Sequence, residues 1–260
     1  MRGRATRVLC TDNPWLGTPK QYAGRLVARA FIQPAFDLAF LPGERQMVFA
    51  RMLGFGDDEL LWGLYAGDQP RFAGAAAGRA SLDRSFLFVG RLAPEKGVDV
   101  LATAYADYRS RASDPWPLLV VGTGPLAPEL EGAPGVSMLG FLQPEELPAQ
   151  MAASGCLVLP SRFEPWGVVV HEAASAGLAI ICTDPCGATT RLVLDGYNGR
   201  VIAADDASAL SDALSWIADR APEELETLGR RSSALSEQLS PRRWASYLLD
   251  RLESVNTRVT

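Results

Sequence analysis

A chain of 260 residues, 48% hydrophobic and 21% charged, has the makings of one large or two modest globular domains. No run approaches the ~18 apolar residues of a membrane-crossing helix, and a formal net charge of −5 argues against bulk nucleic-acid binding. Cys10, Cys156, Cys182 and Cys186 lack C-x-x-C spacing and share the chain with one histidine, so neither a zinc site nor a disulfide framework is expected. Free thiols in a reducing, cytoplasmic setting are the plain reading. The basic start leads only into Val8-Leu9-Cys10, so no signal-peptide core is expected.

Short β-type runs alternate with helix-type stretches. Val8-Leu9-Cys10 reads as a strand, and 21–31 as a helix with Leu26, Ala30 and Phe31 on one side and Arg25 and Arg29 interleaved. A strand over 37–41, a helix over 44–53 stopped by Gly54, and an apolar run over 60–65 follow. The stretch 66–83, with Gly74-Ala75-Ala76-Ala77-Gly78, reads as a linker. Beyond it, strands are expected at 85–89, 118–121, 136–139, 156–159 and 178–182. Helices are expected at 98–111, 144–154, 168–176, 207–220, 222–238 and from Pro241. Strands that are apolar on both sides and separated by helices predict an α/β fold with a parallel sheet covered on both faces. In such sheets ligands bind at the carboxyl ends of the strands, which directs attention to the loops after Val89, Val121, Leu139 and Leu159.

Three of those loops carry chemistry. Gly90-Arg91-Leu92-Ala93-Pro94-Glu95-Lys96-Gly97 places two cations at the mouth of the sheet, one of them among only two lysines in the chain. An arginine fork and a lysine point charge suit a diphosphate; the alternative is a solvated loop in which Arg91 and Lys96 pair with Glu95 or Asp99. Gly122-Thr123-Gly124 formally opens a G-x-G-x-x-A run, but the next strand ends in Gly140-Phe141 rather than an acidic residue, which disfavours a dinucleotide site. The third loop is Pro160-Ser161-Arg162-Phe163-Glu164-Pro165-Trp166-Gly167, running into a helix at Val168. The first amides of that helix are unpaired donors at its positive end, and they suit an anion. Glu172 lies one turn below Val168 on the same face, where a carboxylate can accept two hydrogen bonds from a cis-diol. The alternative makes Glu164 a helix-dipole partner and Glu172 a surface residue. For His171 a general-base role is chemically possible; packing or hydrogen bonding behind the site is the favoured reading. Trp166 fits either a ligand-stacking or a core position.

Glu164 and Glu172 form an E-x7-E pair, and with it the chain resembles the retaining glycosyltransferases of the GT-B fold, family 4, the group 1 glycosyl transferases. Val89-Gly90-Arg91-Leu92 with Glu95-Lys96-Gly97 looks like that family's diphosphate loop, and Val121-Gly122-Thr123-Gly124-Pro125 like its nucleotide-side glycine turn. Gly140-Phe141-Leu142 looks like the segment against the base, and Asp195-Gly196-Tyr197-Asn198-Gly199 like the late turn of the same domain. The resemblance implies transfer of a sugar from a nucleotide-diphosphate donor with retention, without an obligatory metal or other cofactor. By position, Arg91 and Lys96 would neutralise the departing diphosphate, helped by the amides of Gly167, Val168 and Val169. Glu172 would hold the ribose, and Glu164 would bind the transferred sugar with Pro165, Trp166 and Gly167 close by. Gly90, Gly122, Gly124, Phe141 and Leu142 would complete the donor site.

The expected organisation is a partial acceptor-side Rossmann-like domain with linker (1–80), a complete donor-binding Rossmann-like domain (81–238) and a C-terminal helix crossing back (239–260). The family's first acceptor-side strands are missing, so a catalytically incomplete nucleotide-sugar binding remnant is the alternative to an enzyme. A nucleotide-sugar epimerase is a third class, disfavoured by the single histidine. The acceptor is undefined; self-association or a partner chain supplying the missing half is expected. Residues 1–80 carry ten basic and seven acidic residues, and Arg25 and Arg29 suggest peripheral contact with an anionic membrane surface.

Overall fold

The computed structural model describes residues 5–79 and 81–258. The chain forms two compact units, Met1–Ala66 with Leu239–Thr260, and Gly67–Gln238.

The first unit is built on three parallel strands in the order β1 (Val8–Cys10), β2 (Leu38–Leu41), β3 (Leu60–Trp62). Helix α1 (Pro19–Val27) is capped by Thr18, whose hydroxyl accepts from the Gln21 N–H at 3.3 Å. It widens into a π turn over Ala28–Ile32. Helix α2 (Glu44–Leu53) ends at Gly54, in the left-handed region at φ 110°. Ala28, Ala39, Leu41, Ala50, Leu53, Phe55 and Leu60 form one core cluster. On the other cluster, Trp244, Tyr247, Leu248 and Leu252 of helix α10 (Pro241–Arg258) pack against Leu38, Phe40 and Leu61. Their positions, i, i+3, i+4 and i+8, make one helical stripe. The Trp244 ring lies 5.7 Å from that of Phe40, and its indole N–H donates to the Leu64 carbonyl at 3.0 Å. Trp244→Ala is expected to cost about 3 kcal/mol of first-unit stability, read as a lowered denaturant midpoint; an unchanged midpoint would mean that α10 adds nothing to this core. The apolar side expected of α1 is present but uncovered: Leu26 and Val27 are exposed and Phe31 is 74% exposed.

The second unit is a six-stranded, wholly parallel sheet. Its strands are β4 (Phe86–Val89), β5 (Leu118–Val121), β6 (Val136–Gly140), β7 (Cys156–Leu159), β8 (Ala179–Thr183) and β9 (Gly199–Ile202). The spatial order β6-β5-β4-β7-β8-β9 is the doubly wound arrangement, with its switch point between β4 and β7. The helices are α3 (Gln69–Ala76), α4 (Val98–Arg111), α5 (Leu147–Ala152), α6 (Val168–Ser175), α7 (Thr189–Leu192), α8 (Ala207–Ala218) and α9 (Pro222–Ser236). Continuous apolar runs make β7 and β8 buried throughout, as a sheet covered on both faces requires.

One expectation is corrected. The stretch 66–83 is not a bare linker: α3 forms within it, anchored by the buried Phe72 and packed against α5 and α6, and the unit begins at Gly67 rather than near 81. The turn expected over Asp195–Gly199 forms, and a strand that the sequence did not announce follows it: Gly199 opens β9 beside β8, where a Cβ would collide with the Ile180 carbonyl. Among the described residues no helix is long and apolar enough to cross a membrane.

Candidate functional site

The loops after β4, β5 and β7 meet at the carboxyl edge of the second unit's sheet. They are laid directly on one another. Gly90 N–H donates to Val121 carbonyl at 3.0 Å, Leu92 N–H to Thr123 carbonyl at 2.9 Å, and Leu126 N–H to Leu92 carbonyl at 2.9 Å. A Cβ on Gly122 would strike the Gly90 carbonyl, and one on Gly124 the Leu92 carbonyl. These glycines therefore serve backbone-to-backbone approach of two loops, a tighter requirement than making room for a ligand.

Above them opens a cleft of about 660 Å³. Of the sequence-predicted residues it brings together Gly90, Arg91, Gly122, Phe141, Leu142 and Glu172. Phe141 is 68% exposed at this cleft, an aromatic face left to solvent where a planar ligand could cover it. Glu172 is half-buried, and no hydrogen bond or ion pair engages its carboxylate among the described residues. Burial alone pushes its pKa above the ordinary value of 4.5. Asp68, Arg71 and Phe72 of the α3 region also line the cleft. Sequence reading missed them because an Ala/Gly-rich neighbourhood masked the helix; the signal available was Asp68 one residue before Gln69-Pro70, a helix-start pattern.

Lys96, Glu164, Pro165, Trp166, Gly167, Val168 and Val169 do not line this cleft but flank it on the neighbouring loops. A Cβ placed on Gly90 would lie 4.0 Å from the Lys96 side chain. Lys96 Nζ donates to Glu164 Oε2, and the two side chains are 20% and 12% exposed, so each loop's functional residue is held by the other's. Arg91 instead pairs with Glu95 one turn on, at the surface. The Trp166 indole is buried at 2%, which leaves its backbone as the part that can reach a ligand. Val168 and Val169, at the start of α6, have first-turn N–H groups with no intrahelical acceptor. Gly167 holds φ 94°, where a Cβ would lie 2.9 Å from Cys186 Sγ.

What fastens the two loops is Arg162, which sequence reading left unassigned. Its guanidinium grips Asp99 with two hydrogen bonds of 2.8 and 2.6 Å and reaches Asp205 at 2.6 Å and the Pro94 carbonyl at 2.6 Å. Its own N–H donates to the Glu95 carbonyl at 2.9 Å. The Arg162 bonds hold the Asp99 carboxyl below its ordinary pKa. Arg162→Ala should loosen the Lys96 loop from the Glu164 loop and cost the second unit about 2 kcal/mol. Thermal unfolding checks this, and an unchanged midpoint would show that the loops hold themselves. Among the described residues no cluster of His, Cys, Asp and Glu is gathered that could hold a metal ion.

Comparison with known proteins places these residues in a context. The family model described as glycosyl transferases group 1 matches residues 83–220. The chain is similar to an alpha-D-kanosaminyltransferase of Streptomyces kanamyceticus, 31% identical over 185 residues, covering 65% of this chain and 47% of that protein. The chain thus spans less than half the length of this curated relative. Among solved structures it is similar to Anabaena Alr3699/HepE in complex with UDP, with a TM-score of 0.74 at 17% identity, over 97% of this chain and 70% of that one. It is also similar to the C-terminal domain of a glycosyl transferase group 1 family protein (LpcC) from Francisella tularensis. There the TM-score is 0.53 at 19% identity, over 67% of this chain and 93% of that one.

Proposed function

Since the chain belongs to the glycosyl transferases group 1 family, with the α/β, Rossmann-like fold of GT-B enzymes, we propose that its second unit binds a nucleotide-diphosphate sugar and serves retaining transfer of that sugar. The observation that carries the reading is Glu172: a half-buried carboxylate without a partner among the described residues, at a cleft that also presents an exposed aromatic face. A carboxylate so placed is costly until a ligand with paired hydroxyls satisfies it, and a ribose is such a ligand. Phe141 and Leu142 would receive the base.

Lys96 and the α6 amides would meet the diphosphate, with Arg91 at the rim. As the glycosidic bond breaks, negative charge grows on the leaving phosphate while the sugar becomes oxocarbenium-like. Cations and amides already fixed in place then bind the transition state better than the ground state. Glu164, released from Lys96 as that cation turns to phosphate, becomes free to hold hydroxyls of the sugar. The sugar, the base and the acceptor follow from contacts outside these residues.

A second reading is nucleotide-sugar binding without transfer, favoured by the ion pair that engages Glu164, the residue that would hold the sugar, with Lys96. The uncovered apolar residues of α1 beside Arg25 and Arg29 favour contact of the first unit with an anionic, inner-membrane surface, as a lipid-linked acceptor would require. Calorimetric titration with UDP, GDP and ADP tests the shared premise: one of them should bind at about micromolar Kd and lose affinity in Glu172→Ala. Failure of all three to bind would end the donor-site reading. Transfer of labelled sugar by the chain alone would end the second.

A further inference from the structure

His171, the chain's one histidine, lies within α6 and directly precedes Glu172, the α6 residue that lines the cleft. It is 1% exposed and both ring nitrogens are engaged. Nδ1 accepts from the Gly67 N–H at 3.0 Å, and Nε2 lies 3.1 Å from the Ser236 carbonyl oxygen. An amide N–H can only donate and a carbonyl can only accept, so this pair of bonds selects the neutral ring with its proton on Nε2. The fit is close: a Cβ on Gly67 would lie 2.9 Å from Nδ1.

The two partners are not incidental. Gly67 is the first residue of the second unit and runs straight into Asp68 and α3, whose Arg71 and Phe72 line the cleft. Ser236 is the last residue of α9. We propose that His171 is a positioning residue for the nucleotide cleft, tying the α3 wall to the helix that carries Glu172, and that the tie holds only while the ring is uncharged. The inference rests on the cleft being the nucleotide site. Protonation would put an N–H on Nδ1 opposite the Gly67 N–H, two donors face to face, and the α3 wall would lose its attachment.

The charged groups around the ring do not offset this. Asp68 and Arg71 lie on the α3 side, and Arg79 donates to the Ala176 and Gly177 carbonyls at 2.7 and 2.9 Å, past the end of α6. Glu172 is its neighbour on α6, α9 carries Glu223, Glu224, Glu226, Arg230 and Arg231, and Glu237 follows the Ser236 partner. Among the described residues none of them bonds to the ring, and burial pushes its pKa below 6.5, opposed by the Ser236 carbonyl. The sign follows: the neutral ring and its tie are fully present above pH 6.5 and are lost as pH falls through the lower value in the folded chain.

A single histidine makes the test direct, because the imidazole ¹⁵N signals report this ring alone. At pH 7 Nδ1 should be unprotonated, and on acidification the Gly67 amide signal should move with the same midpoint as the ring. The nucleoside diphosphate bound tightest at pH 7.5 among UDP, GDP and ADP is then titrated at pH 7.5 and at one pH unit below the ring's midpoint, as read from those signals, into the wild type and His171→Asn. The asparagine keeps an acceptor for Gly67 but does not ionise. The nucleotide's terminal phosphate and Glu172 titrate in both proteins, so the difference between them isolates the ring. The wild type should lose about tenfold more affinity than the variant. Equal losses, or a ring that titrates without moving Gly67, would overturn the positioning role while Glu172-dependent binding stood. Absence of any nucleotide binding by the wild type at pH 7.5 would remove both readings together.

Discussion

Lys96→Ala is expected to abolish nucleoside-diphosphate binding and to destabilise the second unit at the same time. Lys96 and Glu164 are mostly buried and are each other's ion-pair partner. Removing the cation alone leaves a carboxylate in a poorly hydrated place with nothing to pair with, which costs about 3 kcal/mol. For a unit of this size that is a fall of roughly 6–12 °C in its unfolding midpoint. The double variant Lys96→Met with Glu164→Gln removes both charges and should recover most of that stability. It should recover none of the binding, since the phosphate cation is still gone; a loss of about 10²-fold or more is expected in both. Thermal unfolding and calorimetric titration of the single and double variants separate the two effects. If Lys96→Ala bound a diphosphate within twofold of the wild type, Lys96 would be a structural cation and the assignment of its loop to phosphate would fail.

Glu172→Gln should do the opposite to stability while also weakening binding. The Glu172 pKa is raised by burial, so the folded chain holds its proton more tightly than the unfolded chain does. The burial penalty is therefore in force above the folded pKa and disappears as pH falls below the unfolded value of about 4.5. At pH 7 the amide, which carries no charge to desolvate, should stabilise the protein by about 1–2 kcal/mol. Toward pH 4.5 that advantage should vanish. The amide offers a cis-diol one acceptor oxygen in place of two, so nucleotide affinity should fall about 10- to 100-fold. Unfolding curves at pH 7 and 4.5, with titrations at pH 7, check both halves. A variant no more stable than the wild type at pH 7 would mean that Glu172 is adequately solvated and is not held in reserve for a ligand.

How much of this could be read from residues alone differs from element to element. Leu118–Val121, Cys156–Leu159 and Val98–Arg111 have the limits that their apolar patterns predict. In a doubly wound sheet the interior strands are apolar on both sides, so local composition and burial agree. The late turn was read as a turn only, because an edge strand such as β9, half-buried at Arg200 and Val201, lacks that signature. Helix α3 escaped notice because Phe72 is its one buried anchor and the residues after it are small. At the site, the E-x7-E spacing marked Glu164 and Glu172 without showing that they stand in different electrostatic settings, one ion-paired and the other unpartnered. That difference depends on Lys96, 68 positions away in sequence, and on what α3 and α6 shield from water. The same holds for Arg162, whose Asp99 and Asp205 partners lie 63 and 43 positions away. Spacing within a loop says nothing about such partners.

The docking of α10 on the first unit has a consequence for synthesis. The chain leaves that unit at Ala66 and returns to it only at Leu239, after the whole second unit has been made. Leu38, Phe40 and Leu61 must wait for Trp244, Tyr247, Leu248 and Leu252 before one side of their small sheet is covered. At about 5–20 residues per second the wait is roughly 10–40 s. The second unit, contiguous in sequence, can fold during that interval. A released chain ending at Gln238 should therefore yield a protease-resistant 67–238 fragment while its first 66 residues are digested.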